Sequence, residues 1–289
     1  MKTFLLLLVC AASAVVTAPA AEIKIVAAEN FYGGVAKQIA GADASVTSIL
    51  SDPNQDPHDF VTNASTAKDV ADADVVIYSG IGYDTWMEKL LATQGKPGRV
   101  VICVASLIGG KDGDNPHIWY DPRTMPALVD ELATVLTPFD LSQADDYQKR
   151  AAEFKTAMKP ELDAIAAIKA AYQGTQVTAT EPVFGYMAAA LGLQMLNYDF
   201  QVNVMNDVEP SVDQTAAFEK SLSTKTARVL FYNSQVTDPA TDRIKKLAQQ
   251  AGIPIVGVTE TQPPGEPNYP AWMMQELRDV KAGLAAASR

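Results

Sequence analysis

From Ser142 to Tyr172 the chain runs about 31 residues with one turn-forming residue, Pro160, a length that at 1.5 Å per helical residue makes a rod of about 46 Å. Ser142-Gln143-Ala144-Asp145 reads as a capping-box-like start. Tyr147, Ala151, Phe154, Met158, Leu162, Ile165 and Ile168 then recur at helical spacing. Pro160 is expected to kink the rod, because its ring displaces one backbone hydrogen bond. A helix this long, set between two blocks of different texture, reads as a stiff connector.

Those two blocks share one pattern. Before the rod, short apolar runs at 23–27, 46–50, 75–78 and 99–104 read as strands, with helical patterns near 34–39, 66–71 and 86–91 between them. Asp121-Pro122 is expected to open a helix through Leu136, with Asp as N-cap and Pro at the first helical position. Beyond Gly174 the strand candidates are 176–180, 194–198, 229–232 and 255–258, and the helix candidates 184–191, 212–222, 239–249 and 269–286. Strands alternating with helices predict parallel βα units. The expected fold is α/β: two α/β lobes with parallel sheets and a cleft between them, residues 22–140 and 174–289, joined by a linker helix at 141–173.

The chain's start reads as a secretory signal peptide at 1–21. Lys2 precedes an unbroken apolar run at 4–9, small residues continue it to 16, and Ala20 or Ala21 offers the cleavage site. The run is shorter than the ~20 residues that span a bilayer. Cys10 follows Val9 and lies inside the apolar run, unlike a lipidated cysteine, so the mature chain is expected to be soluble and periplasmic. Cys103 alone then remains, and one thiol makes no internal disulfide. Lys and Arg number 23 against 34 Asp and Glu, a formal charge of −11. That balance disfavours nucleic acid and anionic membrane surfaces and is compatible with a cationic ligand.

The sequence has only 2 histidines. His58, in Asp56-Pro57-His58-Asp59-Phe60, and His117, in Asn115-Pro116-His117-Ile118-Trp119, both sit in loops after expected strands, where α/β sheets bind ligands. Either one alone is as readily a surface or capping residue. Glu181 and Glu260 directly follow expected strands of the second block, and each alone is as readily a solvated carboxylate. Together, two imidazoles and two carboxylates suit Zn²⁺, Mn²⁺ or Fe²⁺. No Walker A pattern and no nucleophile constellation is present.

Pro57-His58-Asp59-Phe60 and Asn115-Pro116-His117-Ile118-Trp119-Tyr120-Asp121-Pro122 resemble two signature loops of the zinc/manganese ABC-transporter solute-binding proteins. Glu181-Pro182-Val183-Phe184-Gly185-Tyr186 is similar to that family's third loop, Glu209-Pro210-Ser211 to its Glu-Pro-Ser segment, and Val258-Thr259-Glu260 falls where the family carries an Asp ligand. The resemblance implies His58, His117, Glu181 and Glu260 as ligands of one transported divalent transition metal. It also implies two lobes on a rigid linker helix, an inner-membrane ABC permease as partner, a monomer and no catalysis. Glu260 stands where Asp is usual. Phe231-Tyr232-Asn233-Ser234-Gln235 lacks the acid often found there, leaving Asn233 or Gln235 to orient ligands from behind. The loop at 109–115 contains no histidine. With Glu rather than a third His at 181, the donor set leans to Mn²⁺ or Fe²⁺, while the Irving–Williams order favours Zn²⁺. Three other readings stay open: a secreted metallohydrolase with Asp56, Asp59 or Glu209 as base, a receptor for an organic or chelated solute, and an adhesin-like surface role that the resemblance sometimes implies and the expected lack of a lipid anchor weakens. The remaining features read blandly. Asn63-Ala64-Ser65 fits a glycosylation sequon without an evident role, the tryptophans read as packing residues, and Tyr120 and Tyr186 as either cleft or core.

Overall fold

The computed structural model describes residues 22–52, 55, 57, 60–235 and 239–288. The expected signal peptide at 1–21 and His58, with Asp56 and Asp59 beside it, lie outside the described residues. Among the described residues eight strands form two four-stranded sheets: β1 (Ile23–Glu29), β2 (Ala44–Leu50), β3 (Val75–Tyr78) and β4 (Val100–Cys103) in the order β2-β1-β3-β4, and β5 (Gln176–Ala179), β6 (Gln194–Met195), β7 (Leu230–Asn233) and β8 (Ile255–Val258) in the order β6-β5-β7-β8. Every pairing is parallel. This follows from strands such as Val75-Val76-Ile77, fully buried on both faces, each preceded by a helix that returns the chain to the same edge.

The connector is two helices, Ala144–Ala157 and Lys159–Tyr172, meeting at Met158. Pro160 sits in the first turn of the second helix, where its missing N–H goes unneeded. The break therefore falls two residues before the proline. Ser142 does not cap this helix: Asp140 Oδ1 instead accepts from Ser142 N at 2.9 Å to cap a short 3₁₀ turn, Leu141–Gln143.

Three other boundaries depart from expectation. Asp121-Pro122 is two residues early: the helix is Thr124–Leu136, and Asp121 instead braces the entry by accepting from Arg123 N at 2.9 Å. The strand expected at 194–198 ends at Met195, because Asn197 takes a left-handed φ of 58° and opens an unforeseen helix, Tyr198–Met205. Val104 likewise begins the short helix Val104–Leu107 rather than ending β4. The sequon asparagine has a structural role, since Asn63 Oδ1 caps the helix Ala64–Asp72 through Ser65 N and Thr66 N at 2.9 and 3.0 Å.

One hydrophobic core spans both halves. It runs from Ile25 and Phe31 through Trp119, Tyr147 and Ile168 to Val177, Phe231, Trp272 and Leu284. Trp119 is its centre, with Phe31 at 5.0 Å and Tyr83 at 4.8 Å between ring centroids. The helix Asn30–Ala40 lies on the sheet through Gly33, where an added Cβ would stand 2.0 Å from Ser48 Oγ. Hydrogen bonds tie the halves along the same seam: Asn30 Nδ2 donates to Gln262 O at 2.8 Å, and Tyr269 Oη donates to Trp119 O at 2.6 Å.

Candidate metal centre

The sheet order sets the site's layout. In β6-β5-β7-β8 the strand β7 lies between β5 and β8. Residues at the carboxyl ends of three adjacent parallel strands therefore stand side by side. Glu181 follows β5, Asn233 ends β7 and Glu260 follows β8. The middle position is the amide. Asn233 Nδ2 donates to Glu260 Oε1 at 2.5 Å and approaches Glu181 Oε2 at 3.3 Å. All three residues are buried, Glu181 at 6% exposure, Asn233 at 2% and Glu260 at 1%. Two carboxylates this close repel, and a neutral donor between them relieves that repulsion without adding net charge.

The opposite half supplies an imidazole. His117 is fully buried, and its Nε2 lies 3.7 Å from Glu260 Oε2. Its other nitrogen, Nδ1, lies 2.7 Å from Asn115 Oδ1, which also accepts from His117 N at 3.1 Å. Tyr83 reaches across from the loop after β3 and donates to Glu260 Oε2 at 2.9 Å. Gln235 holds the backbone at Glu260: its Oε1 accepts from Glu260 N at 2.6 Å and Thr261 N at 2.9 Å, while its Nε2 donates to Thr261 Oγ1.

Of the four expected ligands, the structure links His117 to Glu260 at 3.7 Å and Glu260 to Glu181 only through Asn233, and His58 lies outside the described residues. Among the described residues no three His, Cys, Asp or Glu side chains form a group able to hold a metal ion. The carboxylates are drawn to Asn233 rather than to one another. An amide that bridges two carboxylates is the neutral counterpart of a cation between them.

A second layer of acids lies behind the first. Glu29, at the end of β1, is fully buried, and burial together with the nearby charge of Asp84 holds its carboxyl well above the usual range. Burial likewise pushes Asp84 up to about 6, against the pull of backbone donors Ser79 N at 2.6 Å and Gly80 N at 2.9 Å. Glu276, pushed up by burial to about 7, accepts from Trp272 Nε1 at 2.9 Å and stands 2.7 Å from Tyr120 Oη. Tyr120 is therefore a core residue that joins the halves, being 2.8 Å from Thr259 O as well. The tryptophans pack as expected, with Trp119 at 0%, Trp272 at 1% and Trp86 at 8% exposure. Sequence reasoning misses Tyr83, Asn115, Glu29 and Asp84 as site residues. The only local signal for any of them is the Asn115-Pro116-His117 run.

The family model for "zinc-uptake complex component A periplasmic" matches residues 25–283. The iron ABC transporter substrate-binding lipoprotein MtsA of Streptococcus pyogenes serotype M1 is 26% identical over 97% of this chain and 94% of that protein. Zinc-binding protein AdcA of S. pyogenes serotype M3 is 24% identical over 93% of this chain, which spans 58% of AdcA's length. Among solved structures, the Mn-bound form of a periplasmic metal binding protein from Candidatus Liberibacter asiaticus superposes with a TM-score of 0.71 at 20% identity, covering 90% of this chain and 98% of that one. Zn(II)-bound AdcA from Streptococcus pneumoniae gives 0.71 at 20% identity, with 91% of this chain and 57% of that one covered. The likeness to these structures carries the two-lobed α/β architecture, and the family match covers nearly the whole described chain: the protein belongs to the family of periplasmic zinc-uptake complex component A.

Proposed function

We infer that the protein captures a divalent transition metal outside the cytoplasm and delivers it to an ABC permease. The observation that carries this reading is the convergence of His117 with Glu260, and of Glu260 with Glu181 through Asn233, at the strand ends facing across the two halves. Imidazole nitrogen and carboxylate oxygen suit Zn²⁺, Mn²⁺ and Fe²⁺, and the two carboxylates offset a dication's charge. His58, His117, Glu181 and Glu260 are the proposed ligands. The metal is cargo rather than a resident cofactor, and the protein performs no catalysis. Four protein ligands leave no position for an activated water. The names of the relatives support this reading, and the donor set leaves Mn²⁺ and Zn²⁺ as the leading cargoes. The proposed organisation is a cleaved leader at 1–21, lobes at 22–140 and 174–289 with the connector at 141–173 between them, and a periplasmic monomer.

The test is calorimetric titration of the metal-free protein with Mn²⁺ and Zn²⁺, beside His58→Ala and Glu181→Ala. One tight equivalent, weakened in both variants, is expected. Absence of stoichiometric binding to the wild type, or binding that neither variant weakens, overturns the assignment.

A further inference from the structure

Asn115 is bonded on both ends of its amide, and to different halves of the molecule. Its Nδ2 donates to Pro182 O at 2.7 Å. Its Oδ1 takes both His117 N and His117 Nδ1. The backbone oxygen of Asn115 accepts from Tyr186 Oη at 2.9 Å. Pro182 and Tyr186 belong to the loop and helix that follow β5, immediately after Glu181.

These partners settle the proton on the imidazole. A carbonyl oxygen only accepts, so the amide atom facing Pro182 O is the NH₂ group, and the atom facing His117 is the oxygen. An oxygen opposite Nδ1 requires the hydrogen on Nδ1. In the neutral ring Nε2 then carries the lone pair, and Nε2 is the nitrogen turned towards Glu260.

Gly185 makes this approach possible. A Cβ at Gly185 would stand 2.7 Å from Asn115 Nδ2. Any larger residue there pushes the amide off Pro182 O, although φ at Gly185 is an ordinary −57°. The glycine is thus needed for space rather than for conformation.

We propose that Asn115 is a positioning residue that latches the two halves at the metal site: through one amide, seated against Gly185, it fixes the tautomer and aim of His117 and registers that ligand against the strand end bearing Glu181. This rests on the metal-capture reading. In it, loss of the latch loosens cargo retention even though no ligand is touched. Residues that orient a metal-binding histidine from behind typically govern affinity by about 10–100-fold.

The test measures Zn²⁺ affinity by competition with a chelator of known affinity, and Zn²⁺ release into excess chelator by stopped flow. The proteins are the wild type, Asn115→Ala, Asn115→Asp and Gly185→Ala, each with its metal-free Tm. Asn115→Asp keeps an acceptor for His117 Nδ1–H but sets a carboxylate against Pro182 O. The expected order of affinity is wild type, then Asn115→Asp, then Asn115→Ala about tenfold or more below the wild type, with Gly185→Ala releasing Zn²⁺ faster than the wild type. Partial rescue by Asp is the signature of a histidine-orienting role, which a purely structural residue would not show. If Asn115→Ala loses its fold, Asn115→Asp and Gly185→Ala carry the comparison. Wild-type affinity and release rate in Asn115→Asp and Gly185→Ala overturn the latch. A wild type that binds no Zn²⁺ or Mn²⁺ instead overturns the metal-capture reading on which it rests.

Discussion

Tyr83 donates its phenolic hydrogen to Glu260 Oε2 across 2.9 Å, although 177 positions separate the two residues. Burial and the adjacent Glu260 carboxylate both hold the Tyr83 phenol well above its ordinary range, so it stays a donor at any physiological pH. The bond anchors Glu260 of the C-half to the N-half. Tyr83→Phe keeps the ring, which packs 4.8 Å from Trp119, and removes only the donor. A hydrogen bond to a charged group is worth about 1.5–3 kcal/mol. The variant is expected to bind Zn²⁺ about tenfold more weakly in a chelator competition. Unchanged affinity would show that Glu260 is held without it.

Asn233 separates Glu181 from Glu260 with one neutral amide. Asn233→Asp places a third carboxylate between two others. Like charges at this distance disfavour the metal-free fold. A ligand that binds only the folded state recovers stability in proportion to its affinity. The metal-free variant is therefore expected to melt several degrees below the wild type, and saturating Zn²⁺ to raise its Tm by more than it raises the wild type's. Equal metal-free Tm values would refute the separating role.

Glu161, on the second connector helix, is fully buried, and among the described residues neither of its oxygens has a hydrogen-bond partner. Burial pushes its carboxyl up to about 8. In the unfolded chain it titrates near the ordinary value, about 4.3. Between those values the folded state holds the proton and the unfolded state has lost it, so stability falls as pH rises from about 4.3 towards 8 and levels off above. Glu161→Gln removes this dependence. The variant is expected to match the wild type near pH 4 and to exceed its Tm by about 10 °C at pH 8. Parallel Tm profiles for the two proteins would contradict it.

Gly33 lets the helix Asn30–Ala40 lie flat on β2, with Ser48 Oγ as the obstacle to any side chain. Overpacking of this kind costs about 1–3 kcal/mol. Gly33→Ala is expected to lower stability to denaturant by that amount. The double variant Gly33→Ala/Ser48→Ala removes the oxygen and leaves contacts of 3.3 and 3.5 Å. It is expected to recover part of the loss, and additive losses would mean the clash lies elsewhere.

The architecture was legible where period carries it. Val75-Val76-Ile77-Tyr78 and Ile255-Val256-Gly257-Val258 are short apolar runs between helical patterns, and both are strands of parallel sheets. Boundaries were legible only where a local signal decides them. Nothing in Gln194-Met195-Leu196-Asn197-Tyr198 announces that Asn197 turns left-handed and cuts the strand to two residues. At the candidate site, Glu181 and Glu260 stand out as candidates because a carboxylate just after a strand is visible in one dimension, and His117 because the sequence has only 2 histidines. Asn233 could be named, though not its place between the carboxylates, which follows from a strand order that no local pattern encodes. Tyr83 and Asn115 act through partners 177 and 67 positions away, on the other side of the connector. Their neighbours in sequence give no hint of that.

The continuous core has a consequence for cooperativity. Phe31, Trp119, Phe184, Trp272 and Leu284 belong to one packed body although they come from both sides of the connector. Cutting the chain within 141–173 would expose on each piece the aromatic face that the other covers. The halves are architecturally distinct yet share one core, so the protein is expected to melt in one transition.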